Sequence, residues 1–172
     1  MKKIRGGFKL KIPFKLPSRK KTSEDFCREG YAYINLFRYD EAANSFKKAL
    51  EIEPNNIEAL KGRGLSLHML KKYSEALEIF NKALEIDPDN DVLLYNRGSA
   101  LCELGRYEEA LKDLERALEI RENAGPWFGK AAILFNMKRY EEALECIEKA
   151  LQLDPHYVHA KELQDQILKK LE

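Results

Sequence analysis

Few side chains in this sequence are of a type and spacing that could carry chemistry. His68 and Cys102 lie 34 residues apart, with Glu103 beside the thiol. An imidazole next to a thiol can take its proton and leave a nucleophile. His156 and His159 stand at i and i+3, which puts two nitrogen ligands on one side of a helix. Gly62-Arg63-Gly64 offers small residues of the kind that let a backbone approach a phosphate. Each falls short on chemical grounds. Nothing near Cys102 in sequence supplies an oxyanion hole, two histidines alone make a weak metal site, and no strand precedes the glycine pair. We therefore expect no catalytic residue, no metal ligand set and no cofactor: not an enzyme.

The elements that must position these residues recur at a fixed period. Tyr73-Ser74-Glu75-Ala76-Leu77 is followed by Phe80, Ala83-Leu84, Ile86 and Pro88, and the phrase returns from Tyr39, Tyr107 and Tyr140. The tyrosines are spaced by 34, 34 and 33 residues. A period of this length marks stacked supersecondary units, each burying its apolar face against its neighbours. Four units follow: 23–56, 57–90, 91–123 and 124–157, each read as two helices. Ser23 is the expected N-cap of the first. A helix over 158–171, with Ala160, Leu163, Ile167 and Leu171 on one face, is expected to cap the stack.

Size alternates between the two helices of each unit. A small slot in the first helix holds Gly30, Gly64, Gly98 and Ala131, and a large slot in the second holds Phe46, Phe80, Leu114 and Ile147. Glycine inside a helix costs about 1 kcal/mol relative to alanine, and close approach of two backbones is the usual compensation. The glycines are thus packing residues, and His68 and Cys102 fall in one slot of adjacent first helices. Ile34 and Phe135 hold that slot in the outer units, so the slot reads as a surface wall. The third unit is one residue short, with Glu122 where the others have Pro54, Pro88 and Pro155. An altered turn is expected there, with Pro126 in the first turn of the next helix, where its missing N–H is harmless.

The order of an aromatic or large residue, a glycine, then Tyr, Ala, Phe and Pro over residues 23–157 resembles the tetratricopeptide repeat family. The resemblance implies an all-α fold: a right-handed α-solenoid of four helix-turn-helix repeats plus a C-terminal capping helix. It also implies a protein or peptide ligand, held on a concave face lined by the first helix of each repeat. The slots of that face hold Tyr31, Ile34, Lys61, Leu65, Met69, Tyr95, Phe128 and Phe135, an apolar set for solvent-facing positions. Tyr31, Leu65, Tyr95 and Phe128 are the expected anchors. The family's clamp for heat-shock chaperone C-terminal tails needs several convergent cations and amides. Only Lys61 and Asn96 match it in this chain, which argues against such tails as the ligand.

Residues 1–22 stand apart as an arm and linker. They carry nine bases and no acid, leaving 21 bases against 29 acids in the remainder, a net of −8. Phe8, Leu10, Ile12, Phe14 and Leu16 alternate with Lys9, Lys11 and Lys15, which gives an extended segment one apolar and one basic face. Three readings stay open: a solubilising tail, an adaptor to nucleic acid or membrane headgroups, and an occupant of the groove of its own or a neighbouring copy. The three widely spaced cysteines, with no C-x-x-C pair, suggest free thiols and a reducing, cytoplasmic setting. No run of 18 apolar residues occurs.

Overall fold

The structure, a computed structural model, describes residues 19–172. The arm's apolar residues Phe8, Leu10, Ile12, Phe14 and Leu16 lie outside the described residues. Among those described there are nine helices and no strand: α1 (Ser23–Asn35), α2 (Tyr39–Ile52), α3 (Ile57–Met69), α4 (Tyr73–Ile86), α5 (Asp91–Glu103), α6 (Tyr107–Ile120), α7 (Ala124–Asn136), α8 (Tyr140–Leu153) and α9 (Val158–Leu171). Each helix packs on the next in sequence. The first helices also touch one another in series: α1 with α3, α3 with α5, α5 with α7 and α7 with α9. This is an all-α helical repeat array.

Sequence sets where each helix starts. The side chains of Asn56 and Asn90 accept from the third N–H of α3 and α5, at 2.9 and 3.1 Å. For α1 the cap is Thr22 and not Ser23. Thr22 Oγ1 accepts from the Asp25 N–H and the Asp25 carboxylate accepts from the Thr22 N–H, a reciprocal box that a serine one residue later cannot close. Ser23 is buried, and its hydroxyl receives a 3.1 Å bond from Asn56 of the next repeat. The second helices start without a side-chain cap. Arg38, Arg106 and Arg139 precede three of them, each reaching forward to a glutamate three residues on.

All four first helices of the repeats stop in one way. The N–H groups of Arg38, Lys72, Arg106 and Arg139 each bond back over five residues, at 2.9 Å. The residue before each takes a positive φ: Phe37 (57°), Lys71 (60°), Gly105 (73°) and Lys138 (61°). Only glycine holds that conformation without crowding its Cβ. At the shortened third repeat α6 runs out into extended backbone at Arg121. Asn123 then caps α7, and Pro126 sits buried in its first turn.

The size alternation is borne out. A Cβ on Gly30 would come within 2.7 Å of the Phe46 ring, and one on Gly64 within 2.5 Å of Phe80. Opposite the smaller Leu114, Gly98 has 3.2 Å, and Ala131 is accommodated in the repeat that carries Ile147. Phe46 also meets Gly62 of the following repeat, where a Cβ would lie at 2.3 Å. One fully buried ring thus joins two repeats.

Candidate protein-binding groove

The groove face is built from the sides of α1, α3, α5 and α7 that meet in series. Tyr31 lies edge-on to Phe46 at 5.0 Å and its hydroxyl donates to the Glu58 carbonyl at 3.4 Å. Burial, then the Glu58 carboxylate beside it, raises its phenol far above the ordinary range. Ile34 packs half-buried against the same cluster. Lys61 is tied to Glu58 at 2.8 Å, and Leu65 is half-buried. Met69 is the most open of the set, at 46% exposed. Asn96 takes the register of Gly62 and Gly129, which face the preceding second helix. The anticipated apolar patch is therefore mostly half-covered by its own neighbours, because adjacent first helices press these side chains together.

Space opens between α5 and α7. A cleft of about 150 Å³ is lined by Tyr95, Ser99, Cys102, Glu103, Phe128 and Ala132, with Gly98, Leu114, Gly129 and Ile133 at its base. Two of its lining residues, Gly98 and Gly129, carry no side chain: a Cβ on Gly129 would meet Leu114 at 3.1 Å and the Tyr95 ring at 3.7 Å. Phe128 leans on Tyr157, ring centroids 5.0 Å apart. Burial, with Tyr95 nearby, pushes the Tyr157 phenol up to about 12. Tyr157 is missing from the slots of the first helices because it is the last residue of the fourth repeat, just before α9. Phe135, farther along α7, stacks at 5.5 Å on Tyr140 of its own repeat.

His68 and Cys102, whose side chains could be reactive, are both half-buried. His68 Nε2 lies 3.2 Å from Ser99 Oγ, and its ring meets Tyr73 at 5.2 Å. Burial lowers its basicity, against the pull of Glu103, so the imidazole is neutral. Burial and then Glu103 raise the Cys102 thiol, so it is protonated. Cys102 lines the cleft, and the bond His68 makes is to Ser99. His159 pairs with Glu162 at 3.2 Å, while the His156 N–H donates to Asp154 at the start of the last turn. No group of three or more His, Cys, Asp or Glu is placed to hold a metal among the described residues. Among them too, no helix is long and apolar enough to cross a membrane.

The sequence profile of the tetratricopeptide repeat matches residues 23–56, 57–90, 92–123 and 125–157 in turn. The chain belongs to the tetratricopeptide repeat family. No curated protein matches it. Among solved structures it is similar to MamA, residues 41 to the end, from Desulfovibrio magneticus RS-1. That pair is 21% identical with a TM-score of 0.71, over 87% of this chain and 90% of the other. It is also similar to pilF of Pseudomonas aeruginosa, 26% identical with a TM-score of 0.77, over 87% and 68% of the two chains. A third is a chain of the APC/C hetero-tetramer Cut9-Hcn1, 17% identical with a TM-score of 0.79, over 86% and 30%. These likenesses show a shared helical-repeat fold. Tetratricopeptide repeats generally mediate protein–protein interactions, and their proteins are typically non-enzymatic.

Proposed function

We propose that this tetratricopeptide protein is an adaptor that holds an extended apolar segment of a partner protein, with its main anchor point between α5 and α7. The observation that carries the reading is the cleft walled by Tyr95 and Phe128. Its volume of about 150 Å³ is that of a cavity that takes benzene, so it suits one aromatic or large aliphatic side chain. Large rigid walls lose little conformational freedom on binding, which suits Tyr95 and Phe128 as energetic centres. Tyr31 and Leu65 extend the same face toward the first repeat as secondary contacts. Glu103, exposed at the rim, favours a lysine or arginine next to the anchor in the partner, as does the net acidic body. The buried free thiols of Cys27 and Cys146 suit work in a reducing compartment such as the cytoplasm.

Occupation of this groove by the chain's own arm, and use of the arm as a contact to nucleic acid or headgroups, both rest on residues outside those described. No observation favours either over an external partner. The test is selection of peptides from a random display library on the full chain, followed by titration of the selected peptides against Phe128→Ala and Glu103→Gln. Enrichment of an aromatic or leucine flanked by bases, with at least about tenfold weaker binding to Phe128→Ala, is expected. Selected peptides indifferent to both substitutions would rule the cleft out.

A further inference from the structure

Neighbouring repeats are not joined equally. Of the helix pairs that follow one another in sequence, α6 and α7 have the least contact. Their connection is also the shortest, residues 121–123, one fewer than 53–56, 87–90 and 154–157. Two of the longer connections close on a main-chain bond: the Asn56 N–H donates to Glu53 at 3.1 Å and the Tyr157 N–H to Asp154 at 3.2 Å. In the other, the Asn90 amide ties back to the Asp87 carboxylate at 2.9 Å. In 121–123 the Asn123 amide reaches the Arg121 carbonyl at 3.4 Å, a long bond.

The side chains that bridge the preceding junction change at this seam. Behind α5 a cleft is spanned by Arg97, which forks onto Asp113 of α6 at 2.7 Å and reaches Asn81 of α4 at 3.0 Å. One repeat later the matching residues are Lys130, Cys146 and Glu115, joined by a single bond from Lys130 to Glu115 at 2.9 Å. Phe46, which fills the space beside Gly30 and Gly62, is matched by the smaller Leu114 between Gly98 and Gly129. Clefts flank the seam on both sides. In front lies the groove cleft between α5 and α7, and behind lies one of about 330 Å³ bordered by Leu111, Glu115, Trp127 and Cys146. Trp127 Nε1 is buried and meets no acceptor among the described residues. A buried donor left unpaired weakens the closed arrangement, and opening the seam lets water reach it.

The fourth repeat and α9 share a core of their own, in which Ala131, Leu134, Ala143, Ile147, Ala160 and Ile167 pack together. Ile133 and Met137 carry the apolar link across the seam, into the cluster of Leu77, Leu101 and Leu114. We infer that the seam between α6 and α7 is a hinge, on which the fourth repeat and α9 rock as one body against the first three. The axis runs along α7, from the connection 121–123 to the packed Ile133. The two clefts lie on either side of that axis, so widening the front one narrows the back one. The swing admits a side chain between Tyr95 and Phe128 and then closes on it. That last step rests on the groove reading, whereas the hinge itself does not.

Lys48, Lys82, Arg116 and Lys149 are exposed and hold one position on α2, α4, α6 and α8, which allows a matched test on the full chain. Spin labels on Lys48→Cys with Arg116→Cys span two junctions without the seam. Labels on Lys82→Cys with Lys149→Cys span two that include it, each pair in a chain carrying Cys27→Ala, Cys102→Ala and Cys146→Ala. Electron–electron double resonance should give a distance distribution at least about twice as wide for the second pair, and equal widths overturn the hinge. A peptide selected on the cleft should narrow it to the width of the first pair. Binding without narrowing overturns the closing step. Failure of every peptide to bind at Phe128 removes the groove reading, and a wide distribution then still upholds the hinge. The unmodified chain gives a second measurement. Relaxation dispersion of backbone amides should show microsecond-to-millisecond exchange over 121–129 and none over 53–62 or 87–96. Flat profiles in all three stretches overturn the inference.

Discussion

In repeats two to four, the third and tenth positions of the first helix are buried: Ala59, Leu93 and Pro126, then Ser66, Ala100 and Ile133. In repeat one the same positions hold Asp25 and Ala32, and Ala32 is exposed. The helices are alike in length and in the way they end, so the difference lies in what stands before them. An interior junction has a second helix laid over this face, whereas among the described residues the first repeat has Arg19 and Lys21 paired with Asp25 and Glu29. The first half of the exposed face has adapted, with Asp25 in a capping box and Arg28 where Gly62 and Gly129 pack elsewhere. Its second half keeps an exposed leucine, Leu36, where Leu70, Leu104 and Met137 are half-buried.

The largest effect should come from breaking an interior junction. Phe46→Ala removes a fully buried ring that fills the space beside both Gly30 and Gly62. It should cost about 3–5 kcal/mol in a denaturant titration. A loss below about 1 kcal/mol would mean the two repeats are not joined through this ring. The comparison is sharpened by placing one substitution at equivalent turns. Leu104→Ser should cost about 1–2 kcal/mol, because the preceding repeat covers that leucine. Leu36→Ser, at a leucine 63% exposed, should cost under about 0.5 kcal/mol. Equal costs at the two turns would break the comparison.

The smallest effect concerns pH. His68 bridges repeats two and three through Ser99, whereas Ile34 holds its slot in repeat one. Its folded pKa lies below the ordinary histidine value, so the unfolded chain binds the proton more readily. The stability it contributes is present above about pH 6.5 and is lost as pH falls toward the lowered folded value. Thermal unfolding followed across that range should show a shallower decline for His68→Gln than for the parent. Equal slopes would indicate that His68 is not the group responsible.

Much of the fold was legible because its rules are local or nearest-neighbour. The 34-residue period, the prolines after second helices and the pairing of Gly30, Gly64 and Gly98 with a large residue opposite all follow from helix geometry and side-chain volume. Pro126 could be placed in a first turn for the same reason, since only a helix start tolerates its missing N–H. Where two residues compete for one role, sequence was less decisive. Thr22 takes the cap from Ser23 because only it can form the return bond with Asp25. His68 meets Ser99, one turn short of Cys102, because the offset between adjacent first helices sets which side chains face each other.

The groove residues were legible as a list but not as a shape. Tyr31, Ile34, Leu65 and Phe135 differ from Tyr95 and Phe128 only in what their neighbours leave open, and Tyr157 meets Phe128 from the end of the fourth repeat. Sequence by itself determined the repeat, its length, the seam between its helices and the charge contrast between arm and body. Tertiary structure alone decided which apolar residues are covered, that a cleft opens between α5 and α7, and that Leu36 and Phe37 are the barest pair among the described residues. The physical reason is that volume and period belong to a residue and its helix. Exposure belongs to the array, and depends on whether another element lies over the same face.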